Sequence, residues 1–227
     1  MKLIDAPSPN FDERGREADT IILHYTGMRT GKEALDRLCD PQAKVSAHYL
    51  VEENGDVFRL VDEEKRAWHA GAGSWCGETD INARSIGIEI VNPGHEWGYR
   101  DFPETQIAAV IALMKDLRTR HNITPARVLG HSDVAPRRKE DPGEKFPWVR
   151  LAAAGLALAP FSGDPKDGEA VSYDDALGAL VEIGYDAKPG DHAAALVAFQ
   201  RRFCPQSLGQ GFDPRTKAAL MAVSAVR

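Results

Sequence analysis

Hydrophobic residues in the first 150 positions recur at two spacings, and the changes from one to the other mark out the elements. The run 20–25 (TIILHY) is apolar and β-branched, as a buried strand requires, and 85–91 (SIGIEIV) and 127–129 read the same way. Runs 47–52 and 57–61 flank Asn54-Gly55, a dipeptide that favours the tight turn of a hairpin. Thr30 with Glu33 three positions on forms a capping box, which predicts a short helix through Leu38. After Pro103, the residues Ile107, Val110, Ile111, Met114 and Leu117 fall at helical spacing, so one face of a long helix packs on a sheet. Strands, a hairpin and covering helices together predict an α/β fold with a mixed central β-sheet flanked by helices.

The pattern changes after position 155. Residues 156–170 are rich in Ala, Gly and Pro and read as a linker. Beyond them Ser172 and Asp175 open a helix that ends at Gly184, a second carries Leu196, Phe199 and Phe203, and Asp213-Pro214 opens a third. The expected organisation is therefore a main domain over 1–155, the linker, and a small C-terminal three-helix domain over 171–227.

Charge and cysteine content narrow the function classes. A net charge of -6 leaves no basic footprint for nucleic acid or an anionic membrane surface. Three cysteines, Cys39, Cys76 and Cys204, have no CxxC spacing, against both a disulfide framework and a thiolate metal site. The first 15 residues lack an apolar run of signal-peptide length, so no membrane insertion is expected and the expected location is the cytoplasm, or the periplasm if a leader has been removed.

Candidate chemistry sits at the ends of the predicted strands. His24 closes the first strand, His131 follows the last, and Asp141 lies in a loop punctuated by Pro136 and Pro142. Two imidazoles and a carboxylate are a donor set for a catalytic Zn²⁺ that leaves the fourth position to water. A structural ion would want a fourth protein ligand, which His48 could supply only by packing into the site. Glu89 alternates with the isoleucines of its strand, and periodicity alone leaves its face open: wet surface or functional site. Lys139 is either a solvated member of the Arg137-Arg138-Lys139 run or, two residues from Asp141, a donor to an oxyanion. His48 and Tyr49 in SAHYLV, and Trp68 and His69 in RAWHAG, are candidates for substrate contact or satisfied structural residues. Arg84 could meet a substrate carboxylate or simply begin a strand. The segment 71–82, rich in Gly, is a candidate to close over a cleft.

Read together and in order, LHYT, VSAHYLV, RAWHAG, SIGIEIVN and GHSDVAPRRKEDPG resemble the zinc-dependent N-acetylmuramoyl-L-alanine amidases of type 2, over roughly residues 5 to 150. The C-terminal ALGALVEIGYD, LVAFQRRF and FDPRTKAAL resemble a three-helix peptidoglycan-binding module. The first resemblance implies that His24, His131 and Asp141 bind one Zn²⁺, and that Glu89 activates water and then protonates the leaving amine, with Lys139 holding the oxyanion. It implies a muropeptide or peptidoglycan substrate, cut between N-acetylmuramic acid, in its 1,6-anhydro form, and L-alanine during cell-wall recycling. The alternatives are a periplasmic amidase acting on intact peptidoglycan and a sensor that binds fragments without cutting them.

Overall fold

The computed structural model describes residues 2–227. The chain opens with strands β1 (Lys2–Asp5), β2 (Phe11–Glu13) and β3 (Thr20–Tyr25), then helix α1 (Gly31–Cys39) and strands β4 (Tyr49–Val51), β5 (Asp56–Arg59) and β6 (Lys65–Ala67). Next come α2 (Ile81–Arg84), β7 (Ser85–Ile90), α3 (Gly94–Trp97), α4 (Glu104–Arg120), β8 (Val128–Gly130) and α5 (His131–Val134). The remaining helices are α6 (Trp148–Ala153), α7 (Tyr173–Ile183), α8 (Ala193–Phe203) and α9 (Pro214–Ser224).

Six strands form one sheet in the order β1-β5-β4-β7-β3-β8, while β2 and β6 pair separately. Within the large sheet only β4 and β5 run antiparallel, as the Asn54-Gly55 hairpin requires; the other neighbours are parallel. Gly55 has φ +88, the left-handed conformation that such a turn needs and that glycine adopts without strain.

The alternation of side chains along each strand divides the core in two. Ile21 and Leu23 of β3 and Ile86, Ile88 and Ile90 of β7 point to one face, where Ile107, Val110, Leu113, Met114 and Leu117 of α4 cover them. Each such side chain removed from water contributes about 1.5–3 kcal/mol. The opposite face carries Ile22, His24, Gly87 and Glu89, and different elements cover it. Near β3 and β8, Ile22 and Leu129 join a cluster with Leu180, Leu196, Phe199 and Leu220 of the C-terminal helices. Near β4, Leu50 packs with Ala34 and Leu38 of α1. The cleft lies between these two covers, above the carboxyl ends of β3, β7 and β8, where open parallel sheets ordinarily bind ligands.

The edge strand β1 and the pair β2–β6 carry no readable apolar pattern: most of their residues are exposed or half-buried, so the alternation that betrays a strand is missing. The C-terminal helices start as their caps predict, with Ser172 Oγ accepting from the Asp175 N–H and Asp213 from that of Thr216. Within 156–170, Leu156 and Ala157 are buried in the α4-side core, and the turn Pro165–Gly168 packs against α9.

Candidate active site

Strand register brings the first two candidate residues side by side: His24 of β3 is the direct partner of Glu89 on β7. His131 begins α5 immediately after β8, and the Ser132 N–H donates to the Asp141 carbonyl, which ties the Asp141 loop to the same strand end. The result is a tight triangle. His24 Nδ1 and His131 Nδ1 are 2.9 Å apart, and one carboxylate oxygen of Asp141 lies 3.1 Å from the first and 3.0 Å from the second. All three residues are buried.

Outward hydrogen bonds decide which ring nitrogens carry protons. His131 Nε2 faces the Ala70 carbonyl at 2.9 Å, so it must donate. His24 Nε2 lies 3.0 Å from His69 Nδ1, and His69 Nε2 lies 3.3 Å from Ser85 Oγ, whose own proton goes to the Ile81 carbonyl. The serine oxygen can therefore only accept from His69, leaving His69 Nδ1 to accept from His24. Burial, then the neighbouring His131, pushes the His24 imidazole down to about 4, and burial also holds His69 well below its ordinary range. With their Nε2 protons committed outward, the two rings turn Nδ1 toward each other and toward a carboxylate, and without a further proton these atoms offer only lone pairs. Such an all-acceptor triangle is satisfied by a cation, so the donor set fits a metal ion.

Glu89 lies beside this triangle with one carboxylate oxygen shielded from solvent and without a hydrogen-bond partner. Burial, reinforced by the charge of Asp141, raises its carboxyl well above the usual range. Lys139 lines the same cleft, half-buried, whereas its neighbours turn away: Arg137 reaches Asp191 at 2.9 Å and Arg138 donates to the Ala70 carbonyl at 3.0 Å. The cleft, about 490 Å³, is further lined by Tyr25, Met28, Arg37 and Trp97.

The structure separates the four aromatic and histidine candidates. His69 sits behind His24, with its ring over Gly87: a Cβ there would fall 2.4 Å from the ring. His48 is fully buried, accepting from the Gly87 N–H at 2.9 Å on one side and facing Arg14 at 2.7 Å on the other. Tyr49 points to the α4 side and donates to Glu63, and Trp68 donates to Asp12 at 2.7 Å outside the cleft. These three are therefore corrected from candidate substrate contacts to residues whose polar atoms are satisfied within the fold, and His48 supplies no fourth ligand. Arg84 forks onto Asp19 at 2.6 and 3.0 Å and is committed there. The segment 71–82 does not cover the cleft: Trp75 is buried against Tyr185 at 4.9 Å between ring centroids. Sequence reasoning passed over Arg37 and Trp97, which sit in a short helix or on a polar helix face. The signal available for Trp97 was an aromatic in a Gly-punctuated stretch; Arg29 lies over its ring at 4.1 Å.

The family model for N-acetylmuramoyl-L-alanine amidase (Amidase_2) matches residues 14–144. The chain belongs to this family. It is 35% identical over 226 residues to the N-acetylmuramoyl-L-alanine amidase AmiD of Escherichia coli, covering 89% of this chain and 81% of that protein. It is 34% identical to the 1,6-anhydro-N-acetylmuramyl-L-alanine amidase AmpD of Citrobacter freundii over 65% of this chain and 87% of that one. The structure of AmiD with anhydro-N-acetylmuramic acid-L-Ala-D-gamma-Glu-L-Lys superposes with a TM-score of 0.82 over 92% of this chain and 89% of that one, at 35% identity. AmpDh3 of Pseudomonas aeruginosa in complex with anhydromuramic pentapeptide gives 0.82 over 96% and 94%, at 31% identity. The family's mixed α/β fold is thus the fold of this chain over most of its length, and among the described residues no helix is long and apolar enough to cross a membrane.

Proposed function

We propose that the protein is a zinc-dependent amidase that cuts the bond between the lactyl carbonyl of 1,6-anhydro-N-acetylmuramic acid and the L-alanine of the stem peptide, in cell-wall recycling. The observation that carries this reading is the all-acceptor triangle of His24, His131 and Asp141 set beside a carboxyl of raised pKa with an unpartnered oxygen. The anhydromuramyl peptides in the matched AmiD and AmpDh3 structures supply the substrate class. Intact ligands and a placed acid–base group favour catalysis over mere recognition of the fragment.

His24 Nδ1, His131 Nδ1 and Asp141 would hold the ion. Bound Zn²⁺ supplies Lewis acidity toward a carbonyl oxygen and toward water. The chain's own residues do the rest. Glu89 accepts a proton from the attacking water as its oxygen bonds to the lactyl carbon, and Lys139 donates to the oxyanion that develops on the former carbonyl. Glu89 then delivers its proton to the alanine nitrogen as the carbon–nitrogen bond breaks, leaving a lactyl carboxyl and a free peptide. The raised pKa of Glu89 makes it a stronger base than an ordinary carboxylate toward the attacking water, and the proton it holds is then at hand for the alanine nitrogen.

The test is mass spectrometry of products after incubating the zinc-loaded protein with a soluble 1,6-anhydro-muramyl tripeptide and, in parallel, with intact sacculi. Free tripeptide from the soluble substrate, abolished by chelation and restored by Zn²⁺, is the expected result. Release mainly from sacculi would move the enzyme to the wall polymer, and binding without cleavage from either would overturn the proposal in favour of a sensor.

A further inference from the structure

Helix α8 carries Arg201-Arg202 in its last turn, and both side chains are buried and reach the segments that carry the candidate metal ligands. Arg202 Nη1 lies 2.7 Å from Asp133, and its Nη2 donates to the Val128 carbonyl at 2.8 Å. The guanidinium carbon also lies over Trp148, 4.2 Å from the ring centroid. Asp133, whose side chain is 0% exposed, additionally accepts the Tyr185 hydroxyl at 2.6 Å and the Gly130 N–H at 2.7 Å. Gly130 and Asp133 bracket His131, so this one carboxylate closes the turn that aims the histidine. Arg201 meets Glu140, the neighbour of Asp141, at 3.1 Å, and Glu144 at 3.4 Å.

Two successive arginines of a C-terminal helix thus grip the chain on both sides of the site, from outside the span 14–144 that the family model matches. We infer that Arg202, acting with Tyr185 through Asp133, is a positioning residue for His131, and that the C-terminal helices form part of the frame of the metal centre. A buried carboxylate with three donors has no freedom to swing, and a ligand held by such a partner is pre-oriented before the ion arrives. The inference rests on the metal reading above.

Zn²⁺ affinity by chelator competition, the visible spectrum of the Co²⁺ form, and melting of the metal-free protein would be measured for the full chain and its variants. Arg202→Lys keeps the charge but loses the two-pronged contact, and Tyr185→Phe removes one donor while leaving the ion pair intact. Both are expected to melt cooperatively, to bind Zn²⁺ more weakly, by about 10–100-fold for Arg202→Lys, and to shift the cobalt spectrum. Leu220→Ala, in the same helical core but with no ring contact to Tyr185, should lower the melting temperature and leave affinity and spectrum at parental values. Parental affinity and spectrum in a folded Tyr185→Phe overturn the inference, whether or not Arg202→Lys folds. Failure of the parent itself to bind Zn²⁺ sinks the metal reading instead.

Discussion

Replacing Glu89 by glutamine should move activity and stability in opposite directions. The amide matches the carboxyl in size, so packing against β3 and β4 persists, but it can neither take a proton from water nor return one to the leaving nitrogen. General acid–base catalysis is worth about 10²–10⁴ in rate, so kcat on the anhydro-muramyl tripeptide should fall by that factor, about 3–5 kcal/mol of barrier, with KM little changed. Stability responds with the other sign. Burial and the Asp141 charge raise the folded-state pKa of Glu89, so its ionisation penalises the native state; the stabilisation present when it is protonated is lost as pH rises through that elevated value. Each pH unit between the folded and unfolded midpoints is worth about 1.4 kcal/mol, or about 3–5 °C in a chain of this size. Metal-free Glu89→Gln should therefore melt like the parent in acid and above it at alkaline pH. Groups remote from Glu89 titrate alike in both proteins, so the difference between the two melting curves reports this carboxyl together with its coupling to Asp141 and Lys139. Initial rates of peptide release and paired melts from about pH 4 to 9 test both halves. A variant that keeps the parental rate, or whose melting temperature tracks the parent's at every pH, refutes the reasoning.

Three further outcomes are expected. Lys139→Met should lower kcat by about 10²–10³ with KM nearly constant, as for loss of an oxyanion donor; an unchanged kcat would return Lys139 to the solvated basic run. Gly87→Ala places a methyl 2.4 Å from the His69 ring, displacing the partner of His24; Zn²⁺ affinity, read by competition, should weaken about 10–100-fold, and a parental value would show that His69 does not orient its neighbour. Against the penalty of burial, Arg120, then Tyr49 and His121, pull the Glu63 carboxyl down to about 2, so its contribution is present above the ordinary carboxylate range and is lost as pH falls toward that value. Unfolding free energies of Glu63→Gln from urea titrations should accordingly lie below the parent's at pH 7, by about 2 kcal/mol after solvent screening, and converge with them in acid; parallel curves would contradict the assignment.

What the sequence could and could not disclose follows from how local each signal is. His24 and His131 were legible because each ends an apolar run, and a polar residue at a strand end needs only its immediate neighbours to stand out. The helix facing the sheet and the Asn54-Gly55 hairpin were legible for the same reason. Arg14 and Arg202 were not: each lies in a charged stretch that resembles solvent-exposed chain, and their burial depends on partners far away, the carbonyls of Lys65 and Ser85 for the first and Asp133 for the second. The two histidines His48 and His69 make the point most sharply. His48 immediately precedes β4 and His69 lies two residues beyond β6, and nothing in either position distinguishes them. Their roles diverge at one glycine on a third strand: His48 accepts the Gly87 N–H within the sheet, whereas His69 occupies the space that a Gly87 side chain would fill and so reaches His24. Which histidine serves the site is thus written at position 87, and only the folded register of β7 against its neighbours makes it readable.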